Sequence, residues 1–292
     1  MVQKWFVVSD LHSFCTELLN ALNEVKFDLN NPEHGLIVVG DIFDRGKETL
    51  EIYKFIKSIP QDRRILIKGN HEDCYKDLLI KNFPDNYDYH NGTVSTFCQI
   101  AKVDMQKLSL PYLKMVERIP TDMAIESIRN TWDVIVNKVK ESEITKFIYS
   151  DEWKDYYELE HKFIITHSFI PLATSNQLVN PLIYGPLKYW REATPIQWEI
   201  ARWGCPYENY LKGYFKEEEN KGKTLICGHW HTSDFYKYLN GEEKDGIYFS
   251  NGIIGIDNGV QIKNGEFLHQ QNVLIIDIKN KTYGDLINTY NY

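Results

Sequence analysis

Five short apolar runs recur along the chain, and polar residues follow each of them directly. The runs occupy residues 5–8, 36–39, 65–67, 163–165 and 225–227. Runs of this length that are rich in Val, Ile and Leu are typical of strands buried on both faces. Because ligands of open α/β sheets bind outside the carboxyl ends of the strands, we expect the polar residues after these runs to meet at one site.

Residues with helical spacing separate the first three runs. Leu18, Leu22 and Val25 follow Ser13, which we predict as a helix N-cap, and a second set of apolar residues follows Gly46. The resulting order through residue 68 is strand, helix, strand, helix, strand. The pattern therefore predicts an α/β fold.

The strand pattern stops between about residues 73 and 160, where helix formers and aromatic residues predict a mostly helical insertion. Residues 170–215 carry five prolines, which predict loops and short helices bordering the site. After His231, asparagine-glycine pairs predict antiparallel hairpins. These pairs are Asn240-Gly241, Asn251-Gly252, Asn258-Gly259 and Asn264-Gly265. We expect one domain over residues 1–292, with substrate choice determined by the insertion and by residues 170–215.

Charge and cysteine content narrow the class of protein. The 33 basic and 41 acidic residues give a net charge of −8, which argues against a chain that coats a polyanion such as nucleic acid. Five cysteines without a C-x-x-C pair argue against a disulfide framework and a structural zinc site. No apolar run resembles a signal peptide or reaches the ~20 residues of a membrane helix. We expect a cytoplasmic protein without a membrane partner.

Metal-binding residue types collect at the predicted strand ends. They are His12, His71, His167, His229, His231, Asp10, Asp41, Asp44 and Asn70. A lone histidine is ordinarily structural, but imidazole, carboxylate and carboxamide donors gathered without a thiolate suit Mn, Fe, Zn, Co or Ni. A shared carboxylate can also hold two such ions together. We therefore expect two divalent metal ions, with Mn²⁺ as the first candidate.

The same residues form motifs that are recognisable as a set. They read Asp10-x-His12, Gly40-Asp41-Ile42-Phe43-Asp44-Arg45-Gly46, Gly69-Asn70-His71-Glu72, His167 and Gly228-His229-Trp230-His231. In order and spacing they resemble the signature of calcineurin-like metallophosphoesterases. The second and third motifs resemble the phosphoprotein phosphatase branch, which includes bacterial and phage serine/threonine phosphatases and the symmetrical diadenosine tetraphosphatases. The resemblance implies a four-layer αββα sandwich of two mixed sheets.

The resemblance also implies a role for each motif residue. Asp10, His12 and Asp41 would bind the first metal ion, and His231 would add a ligand to it. Asp41 would bridge to a second ion, whose other ligands would be Asn70, His167 and His229. A hydroxide bridging the two ions would attack phosphorus, because the ions lower the pKa of bound water.

Three further residues are candidates for substrate binding and proton transfer. Arg45 would clamp the phosphoryl oxygens, and His71 would protonate the leaving oxygen while Asp44 holds its other ring nitrogen. The alternatives are a helix-start salt bridge for Arg45 and a helix cap for Asp44. A second phosphate-binding arginine is expected between His167 and His229, with Arg202 as first candidate and Arg191 as second.

We expect a dinuclear-metal phosphoesterase that acts on phosphomonoesters, in the manner of a serine/threonine protein phosphatase. The alternative enzyme hydrolyses symmetrical dinucleotide polyphosphates or other phosphoanhydrides and phosphodiesters. The partner would thus be a phosphoprotein or a nucleotide. A non-enzymatic scaffold that docks phosphorylated partners is a third class, but no catalytic motif residue is missing.

Overall fold

The computed structural model describes residues 1–108, 122–175, 177–215, 218–263 and 266–292. All five apolar runs form strands, as predicted. The strands are β1 (Lys4–Ser9), β2 (His34–Val39), β3 (Arg64–Ile67), β4 (Trp153–Lys154), β5 (Tyr156–Leu159), β6 (Phe163–Thr166), β7 (Leu172–Thr174), β8 (Ile183–Pro186), β9 (Thr224–Cys227), β10 (Tyr248–Phe249), β11 (Ile253–Gly255), β12 (Ile262–Lys263), β13 (Glu266–Phe267), β14 (Leu274–Asp277), β15 (Thr282–Gly284) and β16 (Thr289–Asn291).

Helices cover the outer faces and much of the predicted insertion. They are α1 (Cys15–Glu24), α2 (Thr49–Ser58), α3 (Asn70–Lys81), α4 (Asn86–Asn91), α5 (Thr93–Ala101), α6 (Asp122–Lys140), α7 (Glu143–Ile148), α8 (Pro195–Arg202), α9 (Pro206–Leu211) and α10 (Thr232–Phe235). The residues at the end of the predicted insertion instead form β4, an edge strand of the first large sheet, and β5, an edge strand of the second. None of the helices in the described ranges is both long enough and apolar enough to span a membrane.

Two mixed sheets form the centre of the molecule. The first has the order β16-β15-β14-β1-β2-β3-β4, and the second has the order β10-β11-β9-β6-β5. The neighbours from β1 to β4 are parallel, as are β6, β9 and β11, whereas the remaining pairs in both sheets are antiparallel. The carboxyl ends of the motif-bearing strands are therefore aligned within each sheet.

The core is divided into three layers by the alternation of side chains along each strand. In β1, Phe6 and Val8 pack against α1, α2 and the helices of residues 70–148, while Trp5 and Val7 pack toward the second sheet. In β6, Ile164 packs against α8, α9 and α10 on the other side. The layers run helix, sheet, sheet, helix, which confirms the predicted αββα sandwich.

Some local predictions are wrong. Ser13 does not cap α1, because the helix begins at Cys15 after Phe14, and the Ser13 hydroxyl instead lies 3.0 Å from that of Thr49. Asn240-Gly241 ends a helical turn, with Gly241 in the left-handed conformation, so no hairpin forms there. The Asn251-Gly252 hairpin is present between β10 and β11, and Asn264-Gly265 lies outside the described residues.

Packing between the sheets predicts the effect of one truncation. Phe163 is fully buried, and its ring centroid lies 5.0 Å from that of Tyr292. We expect Phe163→Ala to lower the free energy of unfolding in urea by about 3–5 kcal/mol, because it leaves a cavity between the sheets. Ile80→Ala on the exposed end of α3 is the control, with a change of about 0.5 kcal/mol or less. An equal loss in both variants would contradict this description of the core.

Candidate metal centre

Loops at the carboxyl ends of the strands bring the predicted ligands together. Two groups of side chains have ligand atoms that all lie within 4.8 Å of one another. One group contains Asp10, Asp41, His167 and His229, and the other contains His12, Asp41 and His71. Asp41 belongs to both groups, which is the geometry required of a bridging ligand.

These loops adopt an uncommon backbone conformation. Fifteen non-glycine residues in the described part of the chain have positive φ angles, and seven of them lie in the motifs or directly after the first one. The seven are Asp10, His12, Ser13, Asp41, Asp44, Arg45 and His229. Left-handed conformations of this kind cost free energy and cluster at functional sites. The surrounding packing therefore holds the ligands in positions that the isolated loops would not favour.

Two motif glycines are required by close approach to the carboxylates. A Cβ atom at Gly69 would lie 2.1 Å from Oδ1 of Asp41, and one at Gly228 would lie 2.2 Å from Oδ2 of Asp10. Any side chain at either position would displace a carboxylate. The glycines before Asn70 and His229 are thus part of the site.

Two histidines are oriented as metal ligands usually are. The Nδ1 atom of His167 lies 2.9 Å from the Val39 carbonyl oxygen, and Nδ1 of His12 lies 3.1 Å from that of Phe43. A carbonyl only accepts, so each Nδ1 carries the proton, which leaves Nε2 facing Asp41 at 3.5 Å and 3.9 Å respectively. Metal-bound histidines are held by the same outer contact. The donor set therefore fits divalent metal ions.

Asn70 joins the group on the His167 side. Its Oδ1 atom lies 2.8 Å from Nε2 of His167. Asp10 also lies on that side, because its Oδ2 atom accepts a 2.9 Å hydrogen bond from the backbone N–H of His229. The structure thus places Asp10 with the ligands of the second ion, although the resemblance assigns Asp10 to the first.

Burial and mutual charge determine the protonation of this cluster. Burial raises the pKa of Asp10 to about 6. Burial also acts to raise the pKa of Asp41, but the neighbouring histidines, His167 first, bring it below its ordinary value. Burial lowers the pKa of His12 and lowers that of His229 to about 3. His12 and His229 are therefore neutral at pH 7 and have a lone pair free for a metal ion.

His71 has different surroundings from the other two oriented histidines. Its Nδ1 atom lies 2.7 Å from Oδ2 of Asp44, and its Nε2 atom lies 3.4 Å from the guanidinium of Arg45. Burial acts to lower the pKa of His71, but the charge of Asp41 and the Asp44 hydrogen bond raise it to about 9. A protonated ring beside a guanidinium is poorly suited to bind a cation.

Two threonines of α5 hold Asp44, and the sequence analysis missed them. Thr93 Oγ1 donates to Oδ2 of Asp44 at 2.8 Å, and Thr96 Oγ1 donates to Oδ1 at 2.6 Å. Thr96 Oγ1 also accepts the backbone N–H of Asp44, and both threonines are fully buried. The signal available in the sequence was a T-x-x-T pair on the apolar face of a helix. Because these contacts occupy the carboxylate, the helix-cap alternative for Asp44 is wrong.

Glu72 ties the second and third motifs to each other. Its buried carboxylate accepts backbone N–H groups from Gly69 at 2.7 Å and from Asp41 and Ile42 at 3.0 Å. This first-turn residue of α3 therefore holds the two motif loops together.

Three predicted residues lie apart from the two groups. Arg202 is buried, and its guanidinium pairs with Asp73 at 2.6 Å and Asp155 at 3.0 Å. Arg191 pairs with Glu158 and Glu219. His231 is in neither ligand group of the described residues, and its ring lies against Gly259, where a Cβ atom would approach Nε2 to 2.8 Å. Because both guanidiniums are paired with carboxylates, we leave Arg202 and Arg191 out of the proposed site, while metal binding by His231 stays a prediction.

Comparison with known proteins covers most of the chain. A model of the family described as calcineurin-like phosphoesterase matches residues 4–233. The symmetrical bis(5'-nucleosyl)-tetraphosphatase of Proteus mirabilis is 34% identical over 67 residues, which is 23% of each chain. That of Buchnera aphidicola subsp. Acyrthosiphon pisum is 28% identical over 141 residues, or 48% of this chain and 50% of the relative. The match thus spans half or less of these relatives.

The solved structure of a cold-active protein tyrosine phosphatase shares the fold. It superposes with a TM-score of 0.50 at 14% sequence identity, covering 97% of this chain and 75% of that one.

The position of Asp41 predicts the metal content of a variant. After chelation and reloading with Mn²⁺, we expect two ions per parent chain and at most one in Asp41→Asn, because the carboxylate common to both groups is lost. Elemental analysis of the dialysed protein measures this directly. Asp88→Asn, which removes a buried carboxylate outside both groups, should retain two ions. Unchanged stoichiometry in Asp41→Asn would remove Asp41 as the bridge.

Proposed function

Because the chain belongs to the calcineurin-like phosphoesterase family and two groups of possible metal ligands share Asp41, we propose that it is a metal-dependent phosphoesterase that removes phosphate from serine or threonine side chains of phosphoproteins. The observation that carries this proposal is the Asp41 carboxylate shared by two ligand groups, with His71 and Arg45 beside it. One small region thereby combines metal ligands, a proton donor and an anion-binding fork.

As the resemblance implies, we assign Asp10, His12 and Asp41 to one ion and Asp41, Asn70, His167 and His229 to the other, although the Asp10 carboxylate lies beside the second group in the structure. When bound, two divalent ions supply positive charge that attracts a phosphate dianion and lower the pKa of a water molecule. Mn²⁺ is the ion to test first, because the donors are imidazole nitrogens and oxygens without a thiolate.

His71 is the proposed general acid. Its raised pKa keeps the ring protonated at neutral pH. Asp44 accepts a hydrogen bond from the Nδ1–H group, so the Nε2 proton is the one that can be given to the leaving oxygen of the serine or threonine. Thr93 and Thr96 are positioning residues in this scheme, because they fix the Asp44 carboxylate that orients the ring.

Arg45 is the proposed phosphate clamp. Its side chain is exposed, and no salt bridge among the described residues includes it, so the salt-bridge alternative finds no support in those ranges. A free guanidinium next to His71 can grip two phosphoryl oxygens in a fork. Charge that develops on the phosphoryl group is then stabilised without reorganisation.

A second candidate activity is hydrolysis of symmetrical dinucleotide polyphosphates. It is favoured by the curated relatives, which are symmetrical bis(5'-nucleosyl)-tetraphosphatases. The two activities give different products. A panel of phosphopeptides and diadenosine tetraphosphate under Mn²⁺ distinguishes them, since the first releases inorganic phosphate and the second releases two nucleoside diphosphates.

Loss of the general acid gives one prediction. We expect His71→Asn to lower kcat about 10²- to 10⁴-fold on an alkyl phosphate, because its poor leaving group needs the proton. Metal content should stay at the parent value. His161→Asn, in an exposed turn, is the control and should leave kcat unchanged. A near-parent rate for His71→Asn on the alkyl phosphate would refute the role of His71.

Loss of the Thr96 hydrogen bond to Asp44 should lower kcat in the same way as loss of His71, but by less. Thr96→Val should lower kcat on the alkyl phosphate about tenfold, which is less than loss of the acid itself, with a smaller defect on p-nitrophenyl phosphate. Thr96→Ser should restore the rate because it keeps the hydroxyl. Thr145→Val removes another buried hydroxyl bonded to Tyr75 and should affect stability only. Equal defects on both substrates would indicate a merely structural role for Thr96.

A further inference from the structure

A pocket of about 340 Å³ opens beside the metal centre, and no role has been given to it above. Its walls come from the residues that follow His167, from the β7–β8 hairpin, and from the end of α8 with the loop after it. None of the described residues that line it carries a charge. Pockets of this size with apolar walls and a few polar groups are typical of ligand sites. Because no charged side chain among the described lining residues could bind a phosphate group, an uncharged group fits this pocket best.

The pocket is fixed to the metal centre by its inner wall. The carbonyl oxygen of Gly204, which lines the pocket, accepts hydrogen bonds from Ser168 Oγ at 2.6 Å and Trp230 Nε1 at 3.1 Å. Ser168 and Trp230 directly follow His167 and His229 in the chain. A group in the pocket would therefore lie next to a phosphate bound at the metal centre.

A second wall residue touches a proposed ligand. The indole of Trp203 lies edge to face with the His229 ring, with 6.0 Å between centroids. Trp203 also lines the pocket and is 42% exposed. This side chain thus stands between His229 and the pocket without closing the pocket to solvent.

Apolar side chains continue from the pocket onto the surface of the β7–β8 hairpin and its connecting loop. They are between 44% and 79% exposed: Leu178, Val179, Leu182, Ile183 and Tyr184. Leu178 and Ile183 also line the pocket, so pocket and rim form one surface. Contiguous exposed apolar surface of this kind marks contacts with other proteins. A polypeptide can cover the rim and fill the pocket at the same time.

We propose that this pocket binds an apolar side chain of the phosphoprotein substrate, close in sequence to the phosphorylated residue, while the rim covers its neighbours. The proposal rests on the phosphoesterase function given above. A nucleobase fits less well, because it leaves the rim uncovered and brings a polar edge to predominantly apolar walls.

The test uses the full chain loaded with Mn²⁺. Phosphoserine peptides carry leucine or aspartate at each flanking position in turn, and kcat/KM is compared with that for p-nitrophenyl phosphate and for diadenosine tetraphosphate. The variants are Leu178→Asp and Ile183→Asp, both at exposed positions. Ile80→Asp, the same substitution at a 78% exposed position on α3, is the matched control.

We expect leucine at one flanking position to raise kcat/KM at least about tenfold over aspartate. The two variants should lose this preference, while Ile80→Asp keeps it. Hydrolysis of p-nitrophenyl phosphate should stay within about twofold of the parent in all three variants, since surface changes perturb the protein little.

The pocket proposal alone would be overturned by hydrolysis of p-nitrophenyl phosphate without any preference among the peptides, or by a peptide preference that both variants retain. A loss in the variants confined to diadenosine tetraphosphate would also overturn it, because the pocket would then take a nucleobase. Absence of Mn²⁺-dependent hydrolysis of every substrate by the parent would instead contradict the phosphoesterase function, and the pocket proposal with it.

Discussion

Burial of the Asp41 carboxylate is the constraint on which the rest of the site depends. The residue is 1% exposed, and a buried carboxylate is strongly unfavourable unless positive charge or donors surround it. The backbone N–H of His71 donates to its Oδ1 atom at 3.0 Å, and Nε2 atoms of three histidines lie within 3.9 Å of its Oδ2 atom. Because His12 is held neutral by burial, these rings only partly balance the charge. Two divalent cations bound at the two ligand groups would complete the balance and leave an excess of positive charge for a phosphate.

Both sheets are needed to build this arrangement. The first sheet ends in the loops that carry Asp10, His12 and Asp41, while the second supplies His167 and His229 from the ends of β6 and β9. Neither sheet alone encloses Asp41, so the interface between the sheets also determines the metal centre. The helices of residues 70–148 then add the threonines that orient Asp44, and residues 169–205 add the pocket. In the proposed scheme, metal binding, proton transfer and substrate choice thus depend on different segments of the fold.

The sequence predicted the structure best where the types of neighbouring residues allow few alternative structures or roles. Two local features were predictable. They are the buried strands of Val, Ile and Leu, and the His, Asp and Asn residues that follow these strands. The Ser13 cap was not, because a tertiary contact with Thr49 takes its hydroxyl. Arg202 looked available in the sequence, but its partners Asp73 and Asp155 are distant in the chain. Thr93 and Thr96 were missed for the same reason, since nothing near them in the sequence indicates that Asp44 lies opposite α5.

The most direct test of the central claim is anomalous diffraction from crystals of the full chain loaded with Mn²⁺. We expect two manganese peaks, one on each side of the Asp41 carboxylate, with His71 bound to neither. A single peak, or two peaks that do not share Asp41, would contradict the claim.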